Sequence, residues 1–198
     1  MAVSIDDIKK LKELSGIGLT DAKLALVEAN GDFDKALEAL RKKGVTKAEK
    51  KGDREAREGL IDGYVHSGRI GVLVEVNCET DFVARLEGFK AFAHEISLQI
   101  ASMAPVYVSE ADIPTEEMER VRSEAKERVV ADGKPSEIAD KIVEGQVKKH
   151  FDEKVLLNQT YIKNEKQTVN DFVKENVAIF GENVIIRQFK RIELGVSE

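Results

Sequence analysis

The sequence is poor in the residues that cross-link a chain or anchor it in a membrane. Its 198 residues include no Trp and one Cys, Cys78, and aromatic residues make up 6%. A single Cys excludes an intrachain disulfide and favours a reducing compartment. No apolar run approaches the roughly 20 residues that a membrane-spanning helix needs, and residues 1–10 do not resemble a signal peptide. We therefore expect a soluble, cytoplasmic protein without a membrane partner.

A surplus of positive charge is also absent. The net charge is −6, with 13 basic and 12 acidic residues in 1–58 and 18 basic and 25 acidic residues in 59–198. Nucleic-acid-binding proteins usually carry a surplus of Lys and Arg that faces phosphates. We therefore expect no direct nucleic-acid binding.

The signatures of common enzymes are missing as well. There is no GxxxxGK[ST] loop, and Gly16-Ile17-Gly18 lacks the third glycine and the preceding strand of a dinucleotide-binding fingerprint. His66, His94 and His150 are far apart, and none lies in an HExxH or CxxC pattern. We predict that the protein is not an enzyme and holds no cofactor or metal. A small active site assembled from distant residues is the alternative.

Residues 1–45 predict a module of three short helices. Ser4 suits the N-cap of the first helix, Asn30-Gly31 ends the second, and Asp32 can cap a third helix that stops at Gly44. Three helices in so few residues lie near the lower limit of a domain that folds alone. The module is therefore predicted to dock onto a partner rather than to enclose a reaction.

A charged tract over residues 46–58 separates this module from the rest of the chain. Nine of its thirteen residues are Lys, Arg, Asp or Glu. The composition predicts a solvated linker helix. A phosphate-binding arm is the alternative, and the four interspersed acids argue against it.

The remaining residues, 59–198, predict an α+β core, so the whole chain belongs to the α+β class. Alternating apolar residues predict an antiparallel hairpin of strands over 60–66 and 70–77. A helix with an apolar face follows up to Met103. A last strand over 183–194 is expected to join the same sheet.

A projecting helical hairpin is predicted within this core, at about 115–152. Helices over 116–131 and 135–152 are joined by Asp132-Gly133-Lys134, and a short turn between two long charged helices makes them antiparallel. Their apolar seam is thin for a free-standing bundle, so we expect the pair to protrude.

The segment Thr80–Val83, with the sequence TDFV, lies where a strand passes into a helix. Thr80 or Asp81 could cap the helix by accepting its free N–H groups. Capping explains the Asp but not Phe82, whose ring must either be buried or be offered outward. The local pattern leaves both possibilities open.

Four stretches of the chain resemble the elongation factor Ts family, in the family's order. They are residues 73–85 (LVEVNCETDFVAR), 10–32 (KLKELSGIGLTDAK, continuing through EANGD), 133–145 (GKPSEIADKIVEG) and 180–195 (FGENVIIR and IELG). The resemblance implies an N-terminal module like a ubiquitin-associated domain, a mixed core and an antiparallel coiled coil. At this length it implies the short form, with one core subdomain and a homodimer.

The resemblance also implies a function, which is guanine-nucleotide exchange on elongation factor Tu during translation. Thr80, Asp81, Phe82 and Val83 match the family's segment that enters the GTPase near its Mg²⁺ site and promotes GDP release.

Further contacts with the GTPase are implied by position. Leu11, Leu19 and Thr20 match the family's N-terminal contact surface, and His66 matches a core histidine near the partner's third domain. From its position alone, His66 could equally be a polar residue that ends a hairpin strand. A protein-binding adaptor that acts through the three-helix module is the alternative function.

Overall fold

The computed structural model describes residues 3–15, 18–40, 51–131 and 136–196. The helices in these ranges are α1 (Ile5–Ser15), α2 (Leu19–Glu28), α3 (33–40), α4 (Asp81–Ala84), α5 (Glu87–Met103), α6 (Thr115–Ala131), α7 (Ser136–Asp152) and α8 (Val169–Phe180). The strands are β1 (Glu58–His66), β2 (Ile70–Cys78), β3 (Thr160–Tyr161), β4 (Asn164–Thr168) and β5 (Val184–Glu193). Within the described ranges, no helix is long and apolar enough to cross a membrane.

Helices α1, α2 and α3 enclose a small cluster of buried apolar side chains, which includes Leu11 and Leu26. The Ser4 hydroxyl accepts the Asp6 N–H at 3.2 Å, and an Asp32 carboxylate oxygen accepts the Lys35 N–H at 3.0 Å, so both predicted caps are present. Asn30 and Gly31 both have positive φ and end α2. The predicted end of the third helix at Gly44 lies outside the described residues.

Strands β1, β2 and β5 form one antiparallel sheet in the order β1-β2-β5. Ser67 and Gly68 connect β1 to β2, with φ of 49° and 68° and a hydrogen bond from the Arg69 N–H to the His66 carbonyl. Positive φ at both central residues is the type I′ turn, whose twist matches that of a hairpin. The predicted hairpin and the return of the last strand are both present.

One face of this sheet is covered by α5 and α8. Residues from β2, α5 and α8 make up most of its core, including Val74, Val76, Phe89, Ile96, Ile100, Val169 and Val177, each at most 4% exposed. The apolar spacing predicted for α5 is buried as expected, except Met103, which lies at the exposed end of the helix. The predicted α+β class is confirmed.

Helices α6 and α7 pack against each other along the predicted apolar seam. Val121, Ala125, Val129, Val143, Val147 and Phe151 are buried there, together with Ile113 and Val155 at the base of the pair. The turn predicted at 132–134 lies outside the described residues. Tyr107 forms a single parallel bridge with Val155. The small β3–β4 hairpin was not predicted, because its second strand is polar and does not alternate.

The stretch before β1 differs from the prediction. Residues 51–57 form a turn followed by irregular backbone, and Glu58 already belongs to β1, so a linker helix is wrong for this part of the tract. The Asn183 side chain donates to the carbonyls of Gly52 and Arg54 at 3.2 and 2.7 Å, and these tertiary bonds outweigh local helix propensity. Residues 46–50 lie outside the described ranges. The division of the chain at 45/46 and 58/59 stays a prediction.

Candidate functional site

The TDFV segment (Thr80–Val83) contains the start of the one-turn helix α4, directly after β2. Thr80 is its N-cap, with extended φ and ψ of −128° and 153°, and its hydroxyl accepts the Val83 N–H at 3.4 Å. The N-cap that the sequence suggests for Thr80 is therefore present in the structure. It accounts for the conformation of the segment and leaves the outward surface of α4 to be explained.

Successive residues of the segment face opposite environments. Val83 is 8% exposed and belongs to the core under the sheet, whereas Phe82 is 77% exposed. A Phe ring is a large apolar surface that proteins normally bury. Adjacent positions on a helix point about 100° apart, so burying Val83 turns Phe82 toward solvent. Of the two possibilities for Phe82, the structure has the outward one.

Asp81 is partly exposed beside Phe82. Its carboxylate lies 2.7 Å from the Arg85 guanidinium, one helical turn further on, and the Arg85 side chain is itself largely exposed. Exposed pairs of this kind contribute at most about 1 kcal/mol, so Asp81 can exchange this partner for another at low cost. The segment therefore offers an apolar ring and a carboxylate on one surface.

Glu182 holds the start of the segment from a loop that is distant in sequence. Its Oε2 accepts the Glu79 and Thr80 N–H groups at 3.1 and 3.0 Å, and its Oε1 accepts the Thr80 hydroxyl at 2.6 Å. The Glu79 carboxylate in turn accepts the Asn183 N–H at 2.6 Å. Sequence reasoning missed Glu182, although it lies within 180–195, because no local pattern connects residues about a hundred positions apart.

Cys78 lies beneath the segment and is fully buried. Its thiol donates to the Thr80 carbonyl at 3.2 Å. Burial, and then the negative charge of Glu182, raise the pKa of Cys78 to about 11. The thiol is therefore neutral at physiological pH and is a packing group rather than a nucleophile.

His66 ends β1 on the side of the sheet that faces α5, and its ring is exposed. Its Nδ1 lies 2.8 Å from the Tyr64 hydroxyl, and the Tyr64 ring makes an edge contact with His94, their centroids 5.7 Å apart. His94 in turn lies 3.3 Å from the Asp62 carboxylate. His66 is thus held by a neighbour and is still accessible to a partner.

The three N-terminal residues differ in accessibility. Leu19 and Thr20 are exposed at the start of α2, but Leu11 is completely buried among the three helices. The structure therefore does not support a direct partner contact through the Leu11 side chain, and Leu11 supports the helix packing instead. Leu24 and Val27 on α2 are more than half exposed, like Leu19, and add apolar surface that sequence reasoning had not assigned.

The uncovered face of the sheet also carries exposed apolar side chains. Ile61 and Val65 on β1, Leu73 on β2 and Ile192 on β5 alternate with residues that face α5, and each is more than half exposed. Gly63 is paired with Leu73 across the two strands, and the Leu73 side chain extends over it. Antiparallel sheets that face water on one side usually carry polar residues there. We call these four residues the outer sheet face.

No group of three or more His, Cys, Asp or Glu side chains within 3–15, 18–40, 51–131 and 136–196 is arranged to hold a metal ion. The TDFV segment presents exposed side chains on a backbone that Glu182 holds by hydrogen bonds.

Comparison with known proteins gives one consistent result. Residues 30–196 match the family model described as Elongation factor TS. The chain is 49% identical over 194 residues to the Elongation factor Ts of Thermoanaerobacter sp. (strain X514). This match covers 98% of this chain and 95% of that protein. It is 47% identical over 196 residues to the Elongation factor Ts of Coprothermobacter proteolyticus, covering 98% of this chain and 100% of that protein.

Proposed function

This chain belongs to the elongation factor Ts family of translation elongation factors, and we propose that it is the guanine-nucleotide exchange factor of an elongation factor Tu. It binds the GDP complex of that GTPase, disturbs the site of Mg²⁺ and phosphate, and promotes GDP release so that GTP can enter. This role places it with the translation machinery in the cytoplasm. It requires contact with a protein and no covalent chemistry by this chain.

The observation that carries the proposal is the exposure of Phe82. A ring that is 77% exposed at the tip of a capped, core-anchored turn gains free energy by entering an apolar gap in a partner. Val83 and Thr80 hold the segment while this contact forms, and they keep their own positions. In the proposed complex, Phe82 enters between partner side chains near the metal site.

Asp81 has a different part in the same contact. Mg²⁺ requires near-ideal octahedral coordination, so a small shift of its ligands or phosphate weakens the bound nucleotide. A carboxylate brought close to that site competes for the groups that hold the Mg²⁺ ion. The exposed pairing of Asp81 with Arg85 leaves the carboxylate free to be redirected when the partner binds.

Thermodynamic linkage sets the difference in affinity that the whole contact surface must provide. A factor that binds the empty GTPase more tightly than its GDP complex must weaken GDP binding by the same ratio. We propose that Leu19, Thr20 and His66 contribute binding free energy in addition to the segment, with Leu24 and Val27 extending the contact of the N-terminal module. All of them are accessible except for part of the His66 ring that faces Tyr64.

The test is release of a fluorescent GDP analogue from purified elongation factor Tu, with and without this protein. We expect strong acceleration by the unaltered chain and a weaker effect of the Asp81→Ala, Phe82→Ala double variant. No acceleration by the unaltered chain would refute the exchange function. An undiminished rate with the double variant would refute only the role of the segment. Loss of all binding on removal of residues 1–45, with a harmless double variant, would favour the adaptor.

We also propose that the outer sheet face (Ile61, Val65, Leu73 and Ile192) is covered by a second copy of this chain. The family resemblance implies a homodimer for a chain with one core subdomain. The four side chains are apolar and exposed, and charges of both signs lie on the same side of the sheet, with Glu75 two residues after Leu73 on β2 and Lys190 opposite Leu73 on β5. A two-fold interface brings a surface against itself, so it favours a face that is self-complementary.

The dimer is tested by sedimentation of the Leu73→Asp variant. A charge in the centre of this face must be desolvated in the dimer, so we expect a monomer that retains its fold by circular dichroism. Val130→Asp is the control, because Val130 is similarly exposed on α6 and away from the sheet. A Leu73→Asp variant that remains dimeric, or an unaltered chain that is monomeric, would contradict the proposal.

A further inference from the structure

Glu182 follows Gly181, whose φ of 73° ends α8, and precedes β5. Its carboxylate accepts three hydrogen bonds from Glu79 and Thr80, and both of its oxygens are used. Hydrogen bonds to an ionised acceptor are about twice as strong as neutral ones. One side chain therefore fixes the main chain and the hydroxyl at the first residue of the TDFV segment.

The Thr80 hydroxyl connects this carboxylate to the helix. A hydroxyl has one proton and two lone pairs. Its proton is donated to Glu182, which leaves a lone pair to accept the Val83 N–H and close the cap. Glu182 thus sets the rotamer of Thr80 in which the cap forms.

A reciprocal bond holds the Glu182 loop in place. Glu79 accepts the Asn183 N–H, and its carboxylate lies 3.5 Å from the Arg54 guanidinium. Asn183 is 4% exposed, and its side chain holds the main chain at Gly52 and Arg54. The two loops and the stretch before β1 therefore restrain one another.

The segment needs such restraint because it is short. Helix α4 has four residues, far fewer than an isolated helix needs to be stable in water. Its orientation depends on the N-cap at one end and on the burial of Val83 at the other. If the cap is lost, the direction of Phe82 is no longer fixed, and the ordering cost is then incurred when the ring is inserted into the bound partner.

We propose that Glu182 is a positioning residue that pre-orients Phe82 for insertion into the partner. It does so through Thr80, without contacting the partner itself. This inference rests on the proposed exchange function. Glu182 therefore affects the arrangement of the segment rather than the contact surface.

The test compares Glu182→Ala and Glu182→Gln with Glu95→Gln. Glu95 is a matched control, because it also bridges distant elements through its carboxylate, with the Tyr161 hydroxyl at 3.1 Å and with Lys163, but it does not touch the segment. The rate of GDP-analogue release from elongation factor Tu is measured against the concentration of each variant. Circular dichroism and thermal unfolding confirm that each variant is folded.

For Glu182→Ala we expect the maximal release rate to fall by about fivefold or more, but by no more than it falls in Phe82→Ala, with a much smaller change in the concentration at half-maximum. Glu182→Gln keeps a carbonyl oxygen for the two N–H groups but loses the acceptor for the Thr80 hydroxyl, so its rate should be intermediate. Glu95→Gln should match the unaltered chain. Unchanged rates for both Glu182 variants, or a change only in the half-maximal concentration, would overturn the inference.

Amide hydrogen exchange gives a second readout that does not require the GTPase. In Glu182→Ala, the Thr80 and Val83 amides should lose protection while those of α5 keep theirs. Full protection of Thr80 and Val83 would overturn the inference, whatever the release rate. If the unaltered chain fails to accelerate GDP release, the exchange function fails, and the loss of protection still decides whether Glu182 orders the segment.

Discussion

Replacing Phe82 by Ala is expected to separate function from folding. The ring is 77% exposed, so removing it deletes little of the folded core. Full burial of a Phe side chain contributes about 1.5 to 3 kcal/mol, so the quarter already buried accounts for less than about 0.8 kcal/mol of the free energy of unfolding. Urea unfolding should therefore be nearly unchanged.

The same free energy of burial gives the expected loss of function. Insertion into a partner buries the remaining three quarters of the ring, which contributes about 1 to 2.3 kcal/mol. We therefore expect Phe82→Ala to slow the stimulated release of the GDP analogue by about 5- to 50-fold, measured at several concentrations of the variant.

Leu86→Ala is the neighbouring control, because Leu86 is also exposed and follows the segment. It should have a much smaller effect on release than Phe82→Ala. Equal losses in the two variants would indicate a general apolar patch instead of an inserted ring. If Phe82→Ala stimulates release at the rate of the unaltered chain, the proposed insertion of the Phe82 ring is refuted.

Three further predictions concern the surroundings of Phe82. Thr80→Ala should lower the free energy of unfolding by about 1 kcal/mol in urea titrations, and Thr80→Ser should restore most of it; equal values for both would contradict the cap. Arg85→Ala should release Asp81 and speed GDP release by up to about fivefold, and slower release would show that the ion pair is needed. Because burial raises the pKa of Cys78 to about 11, above the ordinary 9.0, its contribution to stability is full below about pH 9 and is lost as pH rises toward 11. Cys78→Ala should therefore reduce the loss of unfolding free energy between pH 8.5 and about pH 10.5, and an identical loss in both proteins would contradict this assignment.

Local signals in the sequence were sufficient for much of the fold. Thr168 and Asp171, three positions apart, form a capping box at the start of α8, with each side chain bonded to the other's main chain. The hairpin turn at Ser67 and Gly68 and the alternating burial of β2 follow from residues that are close in sequence. Such features depend on local geometry and period, which a single sequence carries.

The support of the candidate site could not be predicted in the same way. Glu182 contacts Thr80 across 102 positions, and Asn183 holds the stretch near Arg54 across 129. Nothing in the local composition of 46–58 distinguishes a docked stretch from a solvated helix. Leu11 illustrates the opposite error, because a motif match gives a residue's place in the chain but not its exposure.

The energetics of exchange explain why this support matters. Moving a population from 99:1 to 1:99 requires about 5.5 kcal/mol of differential affinity, more than twice what the exposed part of Phe82 can supply. Other surfaces must therefore provide the rest, and the segment must already be ordered, because ordering four residues on binding would cost about 4 kcal/mol or more. The bonds among Glu182, Glu79 and Asn183 keep the segment and the stretch that leads from the N-terminal module on one common support. That order is present before the partner binds, so the binding free energy of the other surfaces is not reduced by the cost of ordering the segment.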